Sequence, residues 1–246
     1  MKNTALTFLL LLCSLVSCRK SGNENPDGGQ GVGRCRVSGF TDYVNGSHAG
    51  TIHTLYDSDG RLKSVVYPQG GYDFVFRGDT IFVRVSGICG NRTDTIVHNG
   101  SRITMAAYGD QRAHRSISYF YDAAGQIHMS RCNVGGAIQE DYFIWSGGDM
   151  IADSIVVDGV PEVTWRYDYD LNRSDQVGNP GTIMAFLTDG LPLYKTRHLR
   201  THVDHGYGIT YKYWYEFDSD QKINRAYILG SQLPDTSMFE YTYECP

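Results

Sequence analysis

The chain has 246 residues, 41% of them hydrophobic, 13% aromatic and 20% charged, with a formal net charge of −5 at pH 7 and a pI ≈ 5.9. Charge below the usual ~25%, with ordinary apolar content, describes a folded chain and excludes disorder over most of its length. The acidic balance excludes a typical nucleic-acid binder, which would show a basic face. With 28 glycines and 18 tyrosines the composition favours turns and strands, and one domain of ~200 residues is the natural organisation.

The first element is a leader. Lys2 precedes an apolar run from Ala5 to Leu12, which is shorter than the ~20 residues a membrane-spanning helix needs and reads as a secretory signal. It ends in Leu15-Val16-Ser17-Cys18, which resembles a bacterial lipobox. The resemblance implies cleavage after Ser17, a lipid on the Cys18 thiol and an acylated amino group, hence a stable membrane anchor. The alternative is a plain signal peptide cut nearby, with Cys18 incidental. Residues 1–17 are thus a signal, and 18–33, polar and rich in Gly and Asn, are a flexible tether. Residues 34–246 form a single β domain. Lipoproteins displayed outside Bacteroidetes cells tend to carry acidic residues just after the cysteine. Here Arg19 and Lys20 follow it, which favours the periplasmic face of the outer membrane over the cell surface.

Beyond the tether, period-two patterns dominate. Tyr72, Phe74 and Phe76 alternate with Asp73 and Val75, and Ile81, Val83 and Val85 with Phe82 and Arg84. The same alternation runs through Ile117-Tyr119-Tyr121, Tyr211-Tyr213-Tyr215-Phe217 and Phe239-Tyr241-Tyr243. Turn signals such as Asn99-Gly100, Gly147-Gly148 and Asp158-Gly159 separate them. The expected fold is all-β: a large curved antiparallel meander of roughly ten strands, a half-open barrel. One short helix is expected at Thr182–Leu187 after Pro180, capping the open end of the sheet.

A degenerate repeat lies within the pattern. Tyr56-Asp57-Ser58-Asp59-Gly60-Arg61-Leu62 is echoed by Tyr121-Asp122-Ala123-Ala124-Gly125-Gln126-Ile127 and by Phe217-Asp218-Ser219-Asp220-Gln221-Lys222-Ile223. Each joins an aromatic strand end to an Asp-initiated turn and an apolar strand start. It resembles the YD repeat of large secreted β proteins, without their regular spacing. Trp165-Arg166-Tyr167-Asp168-Tyr169, Asn179-Pro180-Gly181, Gly190-Leu191-Pro192, Tyr211 to Phe217 and the ending Phe239 to Glu244 resemble a group of Bacteroidetes envelope lipoproteins with a domain of unknown function. That resemblance implies an all-β envelope lipoprotein with no assigned activity. Gln221 departs from it, standing where Gly is usual.

Once Cys13 leaves with the signal and Cys18 is lipidated, Cys35, Cys89, Cys132 and Cys245 remain in an oxidising compartment. Domain termini often lie close together, which favours Cys35–Cys245 and leaves Cys89–Cys132. No C-x-x-C spacing points to a metal.

The densest cluster of ligand-type side chains is His198, His202 and His205 with Asp204. Such a set could hold zinc if it converged, but residues four apart on a strand lie ~13 Å from one another, so a solvated loop is the plainer reading. Carboxylates stand two or four apart at Glu216/Asp218, Glu240/Glu244 and Asp168/Asp170. They would suit a polysaccharide-directed hydrolase if two converged in a groove. Solubilising acids on a polar strand face give the same pattern, and neither a nucleophile elbow nor a phosphate loop is present. Aromatic side chains offer a binding alternative, with Trp145, Trp165 and Trp214 foremost. Trp214 lies opposite the Tyr211-Tyr213-Tyr215 face, so if that face is core, Trp214 is exposed. Asp79-Thr80-Ile81, Asp94-Thr95-Ile96 and Asp153-Ser154-Ile155 resemble the short O-glycosylation motif of Bacteroidetes envelope proteins, placing sugars on Thr80, Thr95 and Ser154.

The sequence therefore points to a lipid-anchored envelope protein without a cofactor. Its leading role is that of a non-enzymatic module binding a glycan, an apolar ligand or another envelope protein. A hydrolase and a purely structural partner-binding lipoprotein are the alternatives.

Overall fold

A computed structural model describes residues 36–58, 61–87, 91–100, 102–109, 115–174, 196–232 and 236–244. The leader, the tether and the expected helix after Pro180 lie outside these residues. Sixteen strands follow one another along the chain. They are β1 (Arg36–Val44), β2 (Ser47–Tyr56), β3 (Leu62–Tyr67), β4 (Gly70–Arg77), β5 (Thr80–Gly87) and β6 (Arg92–Asn99). Next come β7 (Arg102–Tyr108), β8 (Arg115–Tyr121), β9 (Ile127–Val134), β10 (Ala137–Ser146) and β11 (Asp149–Val157). The last are β12 (Val160–Ser174), β13 (His198–Asp204), β14 (Thr210–Phe217), β15 (Ile223–Gly230) and β16 (Thr236–Glu244).

Each strand pairs antiparallel with its neighbours in sequence, and β1 pairs with β16, so the sheet is a closed barrel. This corrects the half-open meander of about ten strands: closure removes both sheet edges, which an open sheet would have to protect. No helix occurs among the described residues.

A round barrel of sixteen strands is wide enough for a water-filled channel, and the chains lining it would touch water. Here inward-facing Ile81, Val83, Ile103 and Ala226 are 0% exposed. One contiguous core runs from Val37 and Phe40 on β1 through Val65, Ile96 and Tyr119 to Phe239 and Tyr241 on β16. The interior is packed along this core, while the inward side chains of β10 and β14, Phe143, Tyr211 and Tyr213 among them, are partly buried.

The barrel has a lower rim, carrying the β2–β3, β8–β9 and β14–β15 turns, and an upper rim at the opposite ends of the strands. All three copies of the degenerate repeat are lower-rim turns with one geometry. Asp57, Asp122 and Asp218 each donate a backbone N–H to the residue four ahead and accept that residue's N–H on Oδ1 at 2.9 Å. Gly125 has a φ of 84°, and Gln221 takes the same left-handed conformation at 63°.

A second, deeper repeat escaped the sequence reading. Near the start of β1, β3, β7, β9, β11, β13 and β15 one extra residue interrupts the register, as with Ser38 between Val37 and Gly39, Lys63 between Leu62 and Ser64 and Ile151 between Met150 and Ala152. A bulge takes a carbonyl out of the regular ladder, and that carbonyl then needs another donor. Aromatic side chains supply it. Tyr56, Tyr121, Trp145, Tyr169, Tyr215 and Tyr243 donate to the carbonyls of Val37, Ile103, Ile127, Met150, Arg200 and Ile223, at 2.6–2.8 Å. Each bolt ties an even-numbered strand to the bulge of the odd-numbered strand before it. On this rim Arg61, Arg102, Arg173 and Lys222 lie over the rings of Phe76, Tyr121, Phe217 and Tyr243.

Candidate functional site

The alternate positions face out, and there charged pairs stand mid-strand among exposed apolar residues such as Phe120, Ile138 and Ile144. Asp73 pairs in register with Arg84, Arg131 bridges to Glu140, and Arg225 lies between Glu240 at 2.8 Å and Glu216 at 3.4 Å. A lipid-facing barrel surface shows the reverse pattern, since each Arg or Lys at the bilayer midplane costs about 2–4 kcal/mol.

The outward face is most ordered where the barrel closes. Register places Trp214 beside Tyr227, Tyr227 beside Met238, Met238 beside Tyr43, and Tyr43 beside His48, a row across five strands. Trp214 stacks on Tyr227 with ring centroids 5.1 Å apart and planes within 2°, and Tyr43 meets His48 edge-on at 5.9 Å. A second row runs alongside, in which Glu216, Arg225, Glu240, Thr41 and Thr51 are successive neighbours. The Tyr227 hydroxyl donates to Glu216 Oε1 at 2.7 Å and joins the two rows. Trp214 is 42% exposed, as the inward, half-buried Tyr-rich face of β14 requires.

The other two tryptophans point inward. Trp145 is a bolt of the lower rim, and Trp165 stacks on His205 at 4.2 Å near the upper rim. Trp214 therefore does not share a site with them. Nor do the three histidines converge. His198 lies at the lower rim with Nδ1 2.6 Å from Asp149 Oδ2, His202 points outward to Asp168 at 3.2 Å, and His205 is inside. They fall on and beside one strand, β13, whose pleat and bulge send them in different directions. No group of three or more metal-ligating side chains occurs among the described residues. Asp149 also accepts the backbone N–H groups of Arg197 and His198, at 2.8 Å each, fixing the chain where it re-enters the sheet.

Among the described residues the carboxylate pairs are engaged singly, Asp168 by His202, Glu216 and Glu240 by Arg225, and Asp218 by its own turn. Sharing that one arginine, Glu216 and Glu240 are both tied into an ion pair on the outer face instead of standing across a cleft from one another. Thr80, Thr95 and Ser154 all face outward; Thr80 donates to Asp79 at 3.0 Å, and the Ser154 and Thr164 hydroxyls lie 2.9 Å apart. Cys132 is half-buried on the inner face of β9, opposite Ile117 and Gln139. Cys18, Cys35, Cys89 and Cys245 lie outside the described residues, so the lipid anchor and both disulfide pairings remain expectations.

Sequence reading missed a polar island inside the barrel, between β8 and β13. Asp141 accepts from Ser130 at 2.8 Å and from Gln139 at 3.0 Å. Asp153 is buried, at 8% exposure, and its Oδ1 accepts no hydrogen bond among the described residues. Burial pushes its carboxyl up to about 7; Asp141 adds to the rise, while the Tyr167 hydroxyl and Arg200 oppose it. Arg200 lies over the Tyr167 ring at 4.4 Å, and burial lowers the His205 pKa. Asp42, inward on β1, is pushed up to about 6 by burial. The signal was present in the sequence: Asp141 and Asp153 fall on the apolar phase of their strands, where an acid is unusual.

The fold is similar to that of two porin-like proteins of Bacteroides. One, from Bacteroides uniformis ATCC 8492, superposes with a TM-score of 0.63 at 13% identity over 85% of this chain and 98% of that one. The other, from Bacteroides vulgatus ATCC 8482, gives 0.59 at 16% over the same shares. No family model matches the sequence, and no curated protein matches it. The likeness is one of fold.

Proposed function

We propose that this chain is a lipid-tethered, non-enzymatic binding module of the bacterial envelope, whose barrel stands in water beside the membrane. The observation that carries this reading is the outward row of ion pairs at mid-strand, Arg131–Glu140 and Glu216–Arg225–Glu240, around a core in which Ile81, Val83, Ile103 and Ala226 have no exposure. Short strands such as β3, with six residues, agree with it, since membrane-crossing strands need ~9–11. The leader, the lipobox and the porin-like neighbours support an envelope location. The salt-bridged carboxylates favour binding over hydrolysis.

The test separates anchor from barrel. A site-specific protease sequence is inserted in the tether between Gly28 and Gly29, and membranes of cells making the full chain are treated with the protease. A tethered barrel passes into the supernatant. A barrel that stays with the membrane after complete cleavage refutes the reading. Labelling with an alkynyl fatty acid should mark the wild-type chain and spare Cys18→Ala.

A further inference from the structure

The two outward rows at the barrel seam form a surface with the chemistry of a sugar platform. Cross-strand aromatic pairs stabilise any sheet, yet these rings lie on the outward side, where Tyr43 and Tyr227 are half-buried and Trp214 keeps 42% of its surface in water. Five adjacent strands span about 19 Å at ~4.8 Å per step, enough for several sugar rings in line. The row, in which Trp214 and Tyr227 already stack on one another, offers its remaining ring faces and edges to the C–H faces of sugars, with polar tips able to hydrogen-bond. Beside it, Glu216, Arg225 and Glu240 present carboxylate and guanidinium forks that match vicinal hydroxyls. Lys212 lies one step along β14 from Trp214, and with Arg225 it balances the two glutamates, so the strip carries no net charge. It lies on the outside of a closed barrel, which suits a chain laid across it. A protein partner would need ~800 Å² per side with an apolar centre, whereas the row here is narrow, bordered on one side by Glu216, Arg225 and Glu240 and on the other by Lys212, Leu229 and Thr236.

We infer that the outer face of β14, β15, β16, β1 and β2 binds an extended, neutral glycan chain along the row from Trp214 to His48. The inference rests on the proposal that this face stands in water.

The test is affinity electrophoresis of the full mature lipoprotein, in mild detergent, through native gels carrying hydroxyethylcellulose, arabinoxylan or neutral mannan, with chondroitin sulfate as the anionic counterpart. The expected result is retardation by at least one neutral polymer, weakened at least tenfold in Trp214→Ala and partly restored in Trp214→Phe. Tyr142→Ala serves as control: Tyr142 is a comparably exposed outward tyrosine on β10, away from the strip, and its loss should change nothing. Passage through all neutral gels unretarded, retention by chondroitin sulfate alone, or an equal loss in Tyr142→Ala would overturn the inference. Protease release from the membrane is read separately, so a barrel freed by cleavage but unretarded would sink the strip and leave the tethered module standing.

Discussion

Asp153 gives the sharpest energetic prediction. Its carboxyl is pushed from 3.8 to about 7 by burial, and one Oδ atom accepts no hydrogen bond among the described residues. In the unfolded chain it ionises near 3.8, so between roughly pH 4 and 7 the folded protein binds the extra proton. Stability then falls as pH rises through that window and levels off above it. A rise of that size corresponds to about 4 kcal/mol of lost stability, an upper value given relaxation around a buried charge. Asp153→Asn removes the ionisation with little change of shape. At pH 8 the variant should be more stable than the wild type, by roughly ten degrees in melting midpoint for a domain of this size. Near pH 4.5, where the wild-type acid is neutral, the two should melt together. Thermal melts followed by circular dichroism from pH 4 to 8.5 measure the difference, which cancels every other titrating group. A variant less stable than the wild type at pH 8, with an unchanged pH slope, would mean that Asp153 is held as a carboxylate by Arg200 and that the reasoning fails.

Four further variants have expected outcomes. Tyr169→Phe takes the 2.7 Å donor from the Met150 carbonyl and should cost about 1–2 kcal/mol in a urea titration, with m unchanged. Gln221→Gly relieves a left-handed residue at φ 63° and should be neutral to about 1 kcal/mol stabilising, whereas Gly125→Ala should destabilise, because φ 84° strains any L side chain there. Asp149→Ala strips three hydrogen bonds from Arg197 and His198; it should cost about 3 kcal/mol and speed amide exchange at those two residues beyond the global change.

Local chemistry was legible in the sequence where strands are regular. The alternation in β4, β5, β8, β14 and β16 showed directly, as did the Asp-initiated turns and the outward position of Trp214. The strand number was not, because Lys63, Ile151, Asn224 and their counterparts insert a residue just where the period would announce a new strand. Outward apolar residues such as Phe120 and Ile144 blur the pattern further. Closure was illegible for another reason: no local pattern tells Arg36–Val44 that its partner is Thr236–Glu244. The aromatic row depends on that closure, since Met238 meets Tyr43 only across the seam. A reader of the sequence could single out Trp214 but could not see what stands beside it. The three histidines show the opposite error, in which nearness along the chain suggested a convergence that the pleat prevents.

The manner of closure also shapes how the molecule folds. Fifteen of the sixteen pairings in the ring join consecutive strands, and most arise from short hairpins that can form locally. The remaining one brings together groups as far apart as Ser38 and Thr242, separated by 204 positions. Joining ends at that distance costs about 5 kcal/mol in chain entropy beyond a constant term, with no hairpin to offset it. The last step should therefore be slow, and until it occurs β1 and β16 are two bare edges of a fifteen-pairing ribbon, open to the same edges of another copy. Export in an unfolded state, far from cytoplasmic chaperones, would make that interval the molecule's most hazardous. A chain that loses β16 would never leave it.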